Sequence, residues 1–255
     1  MSDIAHKIAH KIERASDLAP DLAEALVQWS LAVADTKLHL GLQFSHWVTG
    51  TPALEAAVGA AAMTQDELGH ARGLFTLLRT FPNAPAGLDA HNDLQARTVY
   101  YAPPLLQQRW EQWLDMIVAN VLLDRALHIA IAATLNSAFA PLAGLAGKIV
   151  QEESFHRTYG DTWFTRLAGK DQRTHAALQA SVDRLWALTT IWLGPPADAA
   201  SGLLEKAGIL RLSAGQVGER WRQQVTPLLA QNALTVPTVT PDWSTWNRRT
   251  RALEA

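Results

Sequence analysis

The residues best suited to chemistry fall in two short segments, Asp66-Glu67-Leu68-Gly69-His70 and Glu152-Glu153-Ser154-Phe155-His156. Each is an acidic residue followed by Glu-x-x-His. On a helix, positions i and i+3 share a face, so Glu67 with His70, and Glu153 with His156, each present a carboxylate and an imidazole together. One such pair arises by chance on many solvated helices. Two of them, on separate helices of a bundle, form the ferritin-like di-metal pattern, which a carboxylate from each remaining helix completes. Asp35 and Asp124 are the candidates. Asp35 has Leu31, Leu38 and Leu42 along its face, and Asp124 has Val121, Leu127 and Ile131. A carboxylate on an apolar face is costly unless it is paired or bound to metal.

The set Asp35, Glu67, His70, Asp124, Glu153 and His156 is hard and oxygen-rich. It suits two iron ions, with manganese as the alternative, and suits a structural zinc site poorly. Glu67 and Glu153 would carry the catalytic role as shared carboxylates. Asp66 and Glu152 are expected to accept the N–H of the opposite histidine. The halves also echo each other, Asp35-Thr-Lys-Leu-His39 against Asp124-Arg-Ala-Leu-His128, as a helix-pair duplication would. His39 and His128 are either hydrogen-bonded core residues or supports behind the ligands. In the competing reading Asp35 and Asp124 pair with lysine or arginine, and the histidines are ordinary core or surface groups.

Helices must position these groups, because apolar residues recur at three and four rather than two. Leu22, Leu26, Trp29, Val33, Thr36 and Leu40 form the stripe of a first helix, expected over about residues 21–48. Thr51-Pro52 predicts the cap and first turn of a second, ending at Phe81-Pro82. Four prolines between residues 82 and 104 mark a long crossover. A third helix is expected over 105–137, a fourth from Pro141 to Gly169, a fifth from Asp171 to Gly194, and a last from the Ser213/Gln216 capping box to Gln231. Helix pair, crossover, helix pair is an all-α, ferritin-like four-helix bundle with additional C-terminal helices. The organisation expected is an amphipathic helix over residues 1–16, one helical domain over 17–231 and an irregular tail over 232–255.

Composition narrows the class. A net charge of −2 with no basic stripe argues against nucleic-acid binding. The absence of cysteine excludes disulfides and thiolate chemistry and fits a cytoplasmic protein. Residues 126–147 carry no formal charge, long enough to test for a membrane span. His128, Asn136, Ser137 and Pro141 interrupt that stretch, so two buried helix ends are expected there. The ten tryptophans fall mostly in helical stripes and are expected to anchor the core and contacts between protein chains.

Ala34-Asp-Thr-Lys-Leu-His-Leu-Gly41, Asp66-Glu-Leu-Gly-His-Ala-Arg72, residues 148–156 and Arg184-Leu-Trp186 resemble the phenylacetic acid catabolic protein family, from about residue 17 to Pro237. Within it they are most similar to the smaller ferritin-like component, the C component, of bacterial 1,2-phenylacetyl-CoA epoxidase. The resemblance implies a multicomponent enzyme that epoxidises the ring of an aromatic acyl-CoA at a di-iron subunit, with a reductase supplying electrons. It also implies a homo- or hetero-oligomer with another ferritin-like chain, and a scaffolding role for the smaller component. That component has leucine and glutamine where this sequence has Glu67 and His70. Asp242-Trp-Ser-Thr-Trp-Asn-Arg-Arg249 replaces its Gly-rich, basic C-terminal segment. Two functions follow as expectations: a di-iron monooxygenase subunit, or a non-catalytic structural subunit.

Overall fold

The structure, a computed structural model, describes residues 11–88, 97 and 99–254. Helix dominates it. α1 (Pro20–Trp47) begins with proline in its first turn, where a missing N–H costs nothing. α2 (Leu54–Leu78) starts after Ala53, without a side-chain cap, so the helix opens later than the Thr51-Pro52 signal suggested. After the crossover a short 3-10 turn (Pro104–Gln107) precedes α3 (Trp113–Ala119), a π-helical turn (Asn120–Asp124) and α4 (Arg125–Ala132). These three replace the single helix expected over 105–137. α5 (Ala140–Ala168), α6 (Gln172–Leu193), α7 (Ala199–Lys206) and α8 (Ala214–Gln231) follow.

Local signals account for most ends. Asp171 accepts from the Thr174 N–H to start α6, and Gly194, at φ 82°, stops it. Ser213 and Gln216 form the reciprocal capping box of α8. The sequence reading omitted α7, which Asp198 caps through the Ser201 N–H.

α1 lies along α2, α2 against α5, and α5 against α4 and the π turn, while α3 returns to α1 and α6. This is the four-helix core of a ferritin-like bundle, with α6, α7 and α8 packed outside it. α1 is buried on every side from Ser30 to Gly41, as befits the central helix of an enlarged bundle. Trp221 of α8 is fully buried and donates its indole N–H to Leu122 O at 2.8 Å, inside the π turn. Close approach of α5 to that turn requires Gly160, because a Cβ there would sit 1.8 Å from Asn120 Oδ1.

Residues 1–10 of the expected N-terminal helix, and 89–96 and 98 of the crossover, lie outside the described residues. Over the described remainder of 1–16, Ile12 is not helical. It forms a parallel bridge to Phe139, its N–H meeting Ala138 O at 2.7 Å. In the tail, β1 (Trp246–Asn247) and β2 (Ala252–Leu253) make a two-residue antiparallel ladder, and the Trp246 indole donates to Ile191 O. Among the described residues no helix is long and apolar enough to cross a membrane.

Candidate metal centre

α2, the π turn and α5 bring Glu67, His70, Asp124, Glu153 and His156 to one place in the bundle, all buried. One ligand atom from each of Glu67, Asp124, Glu153 and His156 lies within 4.8 Å of the others. His156 Nδ1 is 3.0 Å from Asp124 Oδ2 and 3.3 Å from Glu67 Oε1. His70 Nδ1 lies 3.7 Å from Glu153 Oε1, and the two imidazole rings are 6.3 Å apart. The outer nitrogens are held as the sequence suggested: His156 Nε2 faces Asp66 at 3.3 Å, and His70 Nε2 faces Glu152 at 2.9 Å, each across to the opposite helix. That second contact fixes each ring and turns Nδ1 inward.

Asp35 does not join them. It accepts two hydrogen bonds from Arg97, at 2.5 and 2.8 Å, and one from the Tyr101 N–H at 2.7 Å, and so anchors the end of the crossover. The α1 residue that enters the site is Lys37. Its fully buried ammonium donates to Glu67 Oε1 at 2.8 Å, to Asp124 Oδ1 at 2.7 Å and to Glu153 Oε1. Sequence reasoning passed over it. The signal was present: a lysine with Val33, Leu40 and Phe44 on its own face must find anions inside the protein.

Two further residues flank the cluster. Asn120 donates to Asp124 Oδ2 at 3.2 Å, and His128 Nδ1 stands 3.7 Å from Glu153 Oε2. With Arg125 and Arg157, these residues line a small cavity beside Asp124 and Glu153. His39 lies apart, its ring edge-on to Tyr100.

The donor set suits a hard divalent cation. Among the described residues Glu67 Oε2 and His70 Nδ1 are buried without a hydrogen-bond partner, as atoms awaiting a metal would be. Burial and the charge of Lys37 lower His70 to about 4, so its ring is neutral with a lone pair to give. The fit to two ions is incomplete, because α1 supplies an ammonium where the pattern requires a carboxylate.

One ammonium cannot neutralise three carboxylates. Burial, and then the Asp124 charge, push Glu67 up to about 7 and Glu153 up to about 8. Burial opposes the charge on His156 too, but its bonds to Asp124, Asp66 and Glu67 carry it up to about 12. All three hold protons in the folded chain that the unfolded chain has lost, Glu67 and Glu153 above their ordinary 4.5 and His156 above 6.5. Their contribution to stability therefore falls as pH rises. Asp124 runs the other way: against burial, Lys37 holds it below the usual carboxylate range, and its contribution is lost only in acid. The buried, neutral His70 and His39 add stability as pH rises toward 6.5 and offset this loss in that range. The melting temperature of metal-free protein should therefore fall between pH 6.5 and 9, and saturating manganese should flatten the slope. A metal-free melting temperature that rises over that range would contradict these assignments.

Fold and site together define a ferritin-like bundle with a buried carboxylate–histidine cluster. The chain belongs to the phenylacetic acid catabolic protein family, whose model matches residues 1–252. It is similar to the A component of 1,2-phenylacetyl-CoA epoxidase from Escherichia coli (strain K12), with 26% identity over 196 residues. The match covers 75% of this chain and 62% of that protein, so the chain spans less than two thirds of the relative's length. The sequence reading expected the smaller C component, and the relative matched here is the A component.

Proposed function

We propose that this chain is the metal-holding subunit of an oxygenase complex of the phenylacetyl-CoA epoxidase type, acting in the cytoplasm on an aromatic acyl-CoA. The carrying observation is the convergence of Glu67, Asp124, Glu153 and His156 within 4.8 Å, buried in a bundle of this family. Iron, or manganese, fits these donors. Bound iron would supply the redox chemistry that activates dioxygen, with electrons from a reductase.

The protein's own residues set the conditions for that chemistry. Asp66 and Glu152 orient the two imidazoles. Asn120 holds Asp124 in its rotamer. The surrounding helices exclude bulk water from the carboxylates. A small cavity lined by Arg125, His128 and Arg157 reaches Asp124 and Glu153 from the side.

Lys37 favours a second reading. Its internal charge partly balances the carboxylates without metal, as a structural subunit paired with a separate catalytic chain would require. Metal analysis after anaerobic loading with ferrous iron separates the two. Glu67→Ala and Glu153→Ala should each lower retained iron at least tenfold, and the loaded wild type, with its partner chains and reductase, should consume dioxygen when given an aromatic acyl-CoA. Wild-type protein that holds no more iron than Glu67→Ala would leave the structural reading.

A further inference from the structure

The ferritin-like pattern sets four carboxylates and two histidines around two divalent ions, a balance of four negative charges against four positive. Here α2, the π turn and α5 supply three carboxylates, Glu67, Asp124 and Glu153, while the fourth helix, α1, supplies the Lys37 ammonium. Exchanging a carboxylate for an ammonium adds two positive charges, the charge of one divalent ion. With His156 serving as a neutral ligand, three carboxylates less one ammonium leave two negative charges, which one divalent ion neutralises.

Geometry supports the same count. Lys37 Nζ does not sit at the rim. It contacts one oxygen of each of the three carboxylates, as a bridged cation would. Two atoms of the site stay unused: Glu67 Oε2 and His70 Nδ1 have no hydrogen-bond partner among the described residues, and His70 Nδ1 stands 3.7 Å from the Glu153 oxygen that Lys37 holds. Those atoms, with His156 Nδ1 at 3.3 Å from Glu67, can serve a single ion. The lysine side chain is fully buried and held by three ion pairs, so swinging it out to admit a second ion would break all three at once.

We propose that Lys37 is a built-in cation that takes the place of one metal of the usual pair, so that the centre binds a single divalent ion per chain. This rests on the metal-holding reading above, and it replaces the expectation of two iron ions.

The test is stoichiometry together with magnetic coupling. Wild-type protein and Lys37→Glu are loaded anaerobically with Mn(II), freed of excess ion, and measured by elemental analysis and electron paramagnetic resonance. The wild type should hold one ion per chain with the six-line signal of isolated Mn(II). Lys37→Glu, which restores the fourth carboxylate, should hold two, with an exchange-coupled signal. Two ions or a coupled signal in the wild type would overturn the proposal, and so would one ion in both proteins. No ion in the wild type but two in Lys37→Glu would also overturn it, since Lys37 would then exclude metal altogether. No ion in either protein would defeat the metal-holding reading itself. The wild-type measurement decides the count even if the glutamate variant fails to fold.

Discussion

Metal-free Lys37→Met should unfold more easily than the metal-free wild type by about 3–5 kcal/mol, the usual cost of removing one member of a buried ion network. For a chain of this size that is a fall in melting temperature on the order of ten degrees. The cause is local and specific. Glu67, Asp124 and Glu153 share one ammonium and are almost entirely shielded from solvent. Without it they must repel one another or take up protons. The deficit should therefore shrink at pH 5, where Glu67 and Glu153 already carry protons in the folded chain, and widen at pH 9. Divalent metal should recover much of the loss, by an amount set by its concentration over its dissociation constant. Paired thermal melts with and without chelator, at both pH values, measure all of this. A variant that melts within a degree or two of wild type in chelator would show that the lysine is outside the charge balance of the site.

Arg97→Met should cost about as much, for a different reason. Asp35 is fully buried, and Arg97 is its only cationic partner among the described residues. Removing the guanidinium strands a charge inside the bundle, worth about 3–5 kcal/mol. It also loses the packing of Arg97 over the Tyr100 and Phe75 rings. The double variant Arg97→Met/Asp35→Asn should regain part of the stability, since a neutral amide can still accept from the Tyr101 N–H. Metal content should not change in Asp35→Asn, because Asp35 stands outside the cluster. A drop in bound metal for that single variant would return Asp35 to the ligand set.

The misplacement of Asp35 shows where sequence reading reaches its limit. For α2 and α5 the Glu-x-x-His spacing carries its own direction, because a helix with one wet side says which way its carboxylates point. Glu67, His70, Glu153 and His156 were legible for that reason, as were the supports Asp66 and Glu152. α1 has no wet side from Ser30 to Gly41. Apolar neighbours surround Asp35 and Lys37 equally, and nothing in the pattern tells which of them faces the other helices. The echo between Asp35–His39 and Asp124–His128 then misled. The residues that enter the site are Lys37 and Asp124, two positions out of register with that echo. The caps of α6 and α8 were readable because each uses side chains within three residues. The late start of α2 and the division of the 105–137 helix depend on packing from distant elements.

The π turn at Asn120–Asp124 fits one more residue into its helix than an α-helical turn would hold. Because the turn absorbs that residue locally, deleting one of Val121, Leu122 or Leu123 would relax it to α-helix and leave α3 and α4 in their present phase. A deletion inside α4 ahead of His128 has no such slack. Each residue in an α-helix turns the chain by about 100°, so His128 would swing away from Glu153 and the rest of α4 would turn with it. The same loss of one residue is therefore absorbed on one side of Asp124 and disruptive on the other.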